Sequence, residues 1–161
     1  MILSYLWHKT EKWKQWLDSS SCPVCKNQPA PDDCVTIFET DTSWIEAQPR
    51  VPLKGTCYVM SKKHAVELFD LSDDEAFEFL KDVMAAARAL KEVTGADKIN
   101  YEIHGNTVPH LHMHLFPRYI LGDRFGDSVV NPREIDPPTY SGNEFFEFVA
   151  SMKEKLSSVL P

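Results

Sequence analysis

His110-Leu-His112-Met-His114 places three of the chain's six histidines at alternate positions. On a β-strand successive side chains point to opposite faces, so the three imidazoles share one face while Leu111 and Met113 face the core. At 3.2–3.4 Å per residue they span roughly 14 Å. The solvent side of a half-buried strand is served as well by Thr, Lys or Ser, so histidine three times over asks for a chemical reason. Two chemistries fit. One is a three-histidine metal site with an open position for water, as in metal-assisted hydrolysis. The other makes one imidazole a nucleophile: largely neutral at pH 7, it can carry a phosphoryl group covalently and divide one displacement into two. Flanking histidines would then fix its tautomer and assist the leaving group. Spacing alone leaves both open.

A second constellation is Cys22-Pro-Val-Cys25. The four cysteines (Cys22, Cys25, Cys34 and Cys57) are too few and too unevenly spaced for a disulfide framework. Met1–Leu6 is apolar only briefly before Lys9, Glu11, Lys12 and Lys14. It does not read as a signal peptide, so a reducing, cytoplasmic setting is expected. There the pair reads as part of a metal site or as a redox pair. Zinc takes four ligands and no second pair is present, so two must come from elsewhere. Cys57 sits in an apolar run and reads as a small core residue.

These groups need elements to hold them. Ile2, Leu3, Leu6, Trp13, Trp16 and Leu17 fall near helical spacing and predict an N-terminal helix over 1–18. Cys34–Glu39 and Ser43–Ala47 read as short strands around a polar turn, and Thr56–Met60 as a third. Ser72-Asp-Asp-Glu75 is a capping box, and Ala76, Leu80, Val83, Ala87 and Leu90 continue it as a long helix stopped near Gly95. Ile99, Tyr101 and Ile103 alternate with polar residues as a strand that precedes the histidine strand across the turn 105–109. Asp123–Tyr140 is loop-like, and Phe145, Val149, Met152, Leu156 and Val159 predict a C-terminal helix. The sum is an α+β domain: an antiparallel sheet, one long helix packed on it, and a helix at each end.

Its 161 residues suit a single domain over 1–161, with the N-terminal helix in 1–21, a core in 22–119 and a C-terminal loop and helix in 120–161. Seventeen Lys and Arg against 24 Asp and Glu give a net charge of −7. That argues against broad binding to nucleic acid or an anionic membrane. No apolar run approaches the roughly 18–20 residues of a membrane span.

The stretch Gly105-Asn-Thr-Val-Pro-His-Leu-His-Met-His-Leu-Phe-Pro-Arg118 resembles the signature of the histidine-triad (HIT) superfamily of nucleotide hydrolases and transferases. The likeness extends over about residues 22–119. It implies a HIT-like fold and a nucleotide substrate. It also implies that His112 attacks the α-phosphorus, forming a nucleotidyl-histidine that water or a second acceptor resolves. By the same resemblance His114 contacts the phosphate and helps the leaving group. Thr107 hydrogen-bonds the phosphate, with Asn106 standing where most members carry Gln. Arg118 either binds phosphate or pairs at the surface. The purine would lie against the early strands, near Ile37, Phe38 and Trp44. Thr56 replaces a histidine that members often carry, and the turn before the triad is short.

Some HIT proteins, and the related galactose-1-phosphate uridylyltransferases, complete a Cys-x-x-Cys zinc site with a distant histidine and the first triad histidine. Here those would be His64 and His110, giving a structural zinc on Cys22, Cys25, His64 and His110 with no organic cofactor. The family also pairs protomers sheet to sheet, which implies a homodimer. His104 and Glu102 could approach a leaving group or simply be solvated. Two rival functions are a three-histidine metallohydrolase and a nucleotide-binding module without turnover.

Overall fold

A computed structural model describes residues 10–26, 34–51, 53–121, 125–126 and 140–160. The first half of the expected N-terminal helix (residues 1–9), the Pro/Asp-rich stretch at 27–33 and nearly all of the loop expected over Asp123–Tyr140 lie outside the described residues. Residues 10–15 are helical (α1), and Pro23–Lys26 forms one turn (α2). Three strands follow: β1 (Val35–Glu39), β2 (Ser43–Ala47) and β3 (Cys57–Ser61). A 3-10 turn at Leu68–Asp70 leads into the long helix α3 (Asp73–Thr94). The remaining elements are β4 (Lys98–Glu102), β5 (His112–Arg118) and α4 (Glu144–Ser157).

Local chemistry sets the ends of α3. Ser72 accepts from the Glu75 backbone N–H while the Glu75 carboxylate takes the Ser72 N–H, and Gly95 closes the helix at φ 66 in the left-handed region. The buried stripe is Phe79, Val83, Ala86, Ala87 and Leu90, with Leu80 of the expected stripe half-buried. Ala85, Ala86, Ala87 and Ala89 keep the helix slim enough to pack on the sheet and against α4 at once.

All five strands run antiparallel in the order β1-β2-β3-β5-β4. Register assigns the two faces. Cys57 opposes Leu115 and Val59 opposes Met113, and these four pack with Ile45, Phe79, Leu90, Met152 and Leu156 in one core beneath the helices. Tyr58 opposes His114 and Met60 opposes His112, so the opposite face carries the histidines. Gly55 enters β3 at φ 88, where an added Cβ would lie 2.8 Å from the Thr94 methyl. Only glycine suits that turn.

Candidate active site

β5 begins at His112, not at His110, because Pro109 has no N–H to give a ladder and the chain bends before it straightens. His110 N–H instead donates to Val108 O at 2.9 Å, and its side chain turns inward with 1% exposure. Only His112 and His114 therefore share the open face in the way strict alternation predicts.

The Nδ1–H of His112 donates to His110 O at 2.7 Å. That bond assigns the tautomer and leaves Nε2 with its lone pair free. Burial moves the His112 pKa below the ordinary value, chiefly by desolvation, so the ring is neutral at pH 7. His114 lies beside it with ring centroids 4.8 Å apart, set edge-on to Tyr58 at 5.0 Å and stacked on Phe116 at 5.6 Å. Burial, then the neighbouring His112, pushes its pKa down to about 3, and its Nε2 is buried with no hydrogen-bond partner among the described residues.

Asn106 and Thr107 sit exposed in the turn between β4 and β5, with no hydrogen-bond partner for either side chain among the described residues. The turn is held from outside: Trp13 Nε1–H donates to Gly105 O at 2.8 Å. The structure does not bring Arg118 to this group. It shares the face but is buried at the far end of β5, six residues or about 20 Å from His112. Ile37 is buried in the core, while Trp44 opposes Met60 and so lies on the histidine face.

The cysteine pair forms a second centre. Cys22 immediately precedes Pro23 at the head of α2, and Cys25 follows three residues later, which brings both sulfurs to one side of a single turn. His110 Nδ1 lies 3.5 Å from Cys22 Sγ and 3.6 Å from Cys25 Sγ. His64 Nδ1 lies 3.3 Å from Cys25 Sγ and 3.3 Å from His110 Nδ1. All four ligand atoms fall within 4.8 Å of one another. A tetrahedral ion with metal–S near 2.3 Å and metal–N near 2.0–2.1 Å needs S···N of about 3.5 Å and N···N of about 3.3 Å.

The residues fit such an ion in chemistry as well as distance. The Nε2–H of His110 donates to Ser61 O at 2.7 Å, and that of His64 to Leu17 O at 3.0 Å. Both Nδ1 atoms therefore present lone pairs toward each other, an arrangement that a cation between them relieves. Burial raises the Cys25 thiol to about 11, so a cation is also what would hold it as thiolate.

A family model described as the HIT domain matches residues 30–121, more than half of the chain. The chain belongs to the HIT family. Among HIT relatives, the protein Hit of Bacillus subtilis is 36% identical over 78 residues, 45% of this chain and 54% of that protein. The chain thus spans about half the length of that relative. An adenosine 5'-monophosphoramidase of Schizosaccharomyces pombe is 29% identical over 120 residues, 71% of this chain and 90% of that one. A histidine triad protein from Bradyrhizobium japonicum shares the fold with a TM-score of 0.69 at 24% identity, covering 78% of this chain and 92% of the other. A zinc-bound histidine triad family protein from Mycobacterium smegmatis matches with a TM-score of 0.64 at 24% identity, over 88% and 97%.

Sequence reasoning missed Tyr58 and Phe116, which pack on His114, and two residues further out in this HIT site. Trp13 is among them because its contact with Gly105 spans 92 positions and leaves no periodic trace. Glu46 is the other: an acid with 2% exposure, opposite Tyr58 on the histidine face, its carboxyl pushed upward by burial and accepting from the Cys34 thiol at 3.7 Å. A polar residue alternating with Ile45 and Ala47 was its only local signal.

Proposed function

We propose that this HIT protein hydrolyses or transfers a nucleotidyl group at the α-phosphate of a nucleoside phosphate, with His112 as nucleophile. One observation carries the reading: the bond from His112 Nδ1–H to His110 O, which leaves a neutral ring with its Nε2 lone pair free. That lone pair forms an N–P bond as the bond from phosphorus to the leaving group breaks. Water or another acceptor then takes the nucleotidyl group and the pair returns to Nε2. His114 flanks the phosphate, and the exposed Asn106 amide and Thr107 hydroxyl supply donors to its oxygens. Arg118, far along β5, enters no step. The S. pombe relative's activity makes an adenosine phosphoramidate the first substrate to try.

Cys22, Cys25, His64 and His110 are assigned a structural zinc ion, supported by their tetrahedral spacing and by the zinc-bound Mycobacterium relative. When bound, the ion supplies a cross-link between the N-terminal segment and the entry to β5. Because that cluster takes His110 and leaves out His112 and His114, the geometry favours the nucleophile over a three-histidine metallohydrolase. The edge strand β4, with Tyr101 50% and nearby Ile103 40% exposed, supports a homodimer formed by joining sheets. No helix among the described residues is long and apolar enough to cross a membrane.

The test is product analysis with wild type and His112→Ala against an adenosine phosphoramidate, a diadenosine polyphosphate, ADP and a UDP-sugar. Nucleoside monophosphate release, or nucleotidyl transfer, by wild type alone is the expected result. Equal turnover by His112→Ala refutes the nucleophile, and nucleotide binding without turnover by either protein points to a binding module.

A further inference from the structure

Two acid–base groups beside the triad have no part in the steps above. His104 follows the end of β4, and its Nε2 lies 2.9 Å from Glu102 Oε2. Its ring stands edge-on to His114, with centroids 5.2 Å apart at 85°. Glu102 opposes His114 in the β4–β5 register, so continuing that antiparallel register by two residues carries His104 toward His112. Side-chain exposure separates the roles. Glu102 is 14% exposed and His104 46%, so the carboxylate lies under the rim while the imidazole meets solvent and incoming substrate.

We propose that His104 is the general acid that protonates the leaving group of the nucleotidyl-transfer reaction, with Glu102 as its positioning residue. This rests on the reading of His112 as nucleophile. The pattern is that of an imidazole oriented through one nitrogen by a carboxylate, with the other nitrogen free for chemistry. The Nε2–H bond to Glu102 fixes the His104 ring, and Nδ1 is the free atom.

The step balances. As the His112 Nε2 pair closes on phosphorus, the bond from phosphorus to the leaving atom breaks and its electron pair stays with that atom. The proton on His104 Nδ1 passes to the leaving atom, so an amine or alcohol departs neutral. When water attacks the nucleotidyl-histidine, its proton goes back to His104 Nδ1 and the N–P pair returns to His112. His114, which the family resemblance assigns to the leaving group, is a poor source of this proton. Its burial keeps it neutral at pH 7, and its Nε2 faces no partner among the described residues. Among the described residues, the other charged or titratable groups facing His104 are Glu102, His112 and His114.

The experiment compares wild type, His104→Gln and Glu102→Gln on two adenylyl substrates. One is adenosine phosphoramidate, whose amine must be protonated as it departs. The other is the p-nitrophenyl ester of AMP, whose phenolate leaves without a proton. His104→Gln is expected to lower kcat/KM, which reports the steps through leaving-group departure and not the shared hydrolysis of the intermediate, about 100-fold on the phosphoramidate, the low end for general acid catalysis, while changing kcat/KM on the ester less than about threefold. Glu102→Gln is expected to show the same selectivity at smaller size, which a merely structural role would not produce. Equal losses on both substrates in variants that melt with wild type, or no loss on either, overturn the role of His104 alone. A wild type inert on both, or a His112→Ala variant that retains the ester rate, removes the nucleophile on which the inference stands.

Discussion

Stripping metal from the Cys22, Cys25, His64 and His110 cluster and restoring zinc to a free concentration about a thousand times its Kd should raise the melting temperature by about 8–16 °C. The magnitude follows from how little the site must reorganise. Its S···N and N···N separations, 3.3–3.6 Å, already lie at the edges of a zinc tetrahedron, and both imidazoles are oriented by carbonyls at 2.7 and 3.0 Å. Little binding energy is therefore lost to rearrangement, and free zinc at about a thousand times its Kd stabilises the fold by about 4 kcal/mol. For a domain of this length each kcal/mol moves the melting temperature by about 2–4 °C. The assay is thermal melting of stripped and reloaded protein, with metal counted by elemental analysis. Cys25→Ala and His64→Ala should each abolish most of the shift, because three ligands close the tetrahedron poorly. Melting curves of stripped and reloaded protein that coincide within about 2 °C would refute the reasoning. So would a full shift that survives the double variant.

Two further outcomes follow from burial and from the sheet edge. The His114 pKa falls from 6.5 in the unfolded chain to about 3 in the folded protein. Between those values the unfolded state binds the extra proton, so stability drops as pH falls below about 6.5 and the loss levels off near pH 3. From pH 7 to pH 5 this one group removes up to about 2 kcal/mol, read from urea melts. His114→Gln should flatten that part of the profile, and an unchanged slope would refute it. At the edge of the sheet, the double variant Tyr101→Glu, Ile103→Glu should convert a dimer to a monomer in sedimentation experiments without lowering the melting temperature of the protomer. Both side chains are half exposed in the single chain, so charge there costs little until a second sheet edge must approach. A wild type that sediments as a monomer overturns the dimer.

Features with a local cause were legible in the residues. The capping box at Ser72 and the stop at Gly95 are written in the few residues that make those bonds, and both ends of α3 fall there. Alternation along Leu111–Leu115 separates core from site because pleating has a period of two, and Leu111, Met113 and Leu115 are buried in the core. The Cys-x-x-Cys spacing likewise places two sulfurs on one helical turn, whatever the rest of the chain does.

What periodicity does not carry is which distant groups meet. The order β1-β2-β3-β5-β4 sets the histidine strand between β3 and β4, and only that order brings Tyr58 to one side of His114 and Glu102 to the other. Strict alternation would have left His110 with its two neighbours. Pro109 denies it a place in the ladder, so the ring turns to cysteines 85 and 88 residues away. Arg118 shows the converse, since a motif that ends only six residues after the nucleophile still lies about 20 Å from it on an extended strand. Trp13 on Gly105 and His104 beside His114 depend on chain crossings with no local signature. Short-range bonding thus wrote the elements and their faces into neighbouring residues, while the site was assembled by the pairing of strands and the burial of a shared core, which act between residues far apart in the chain.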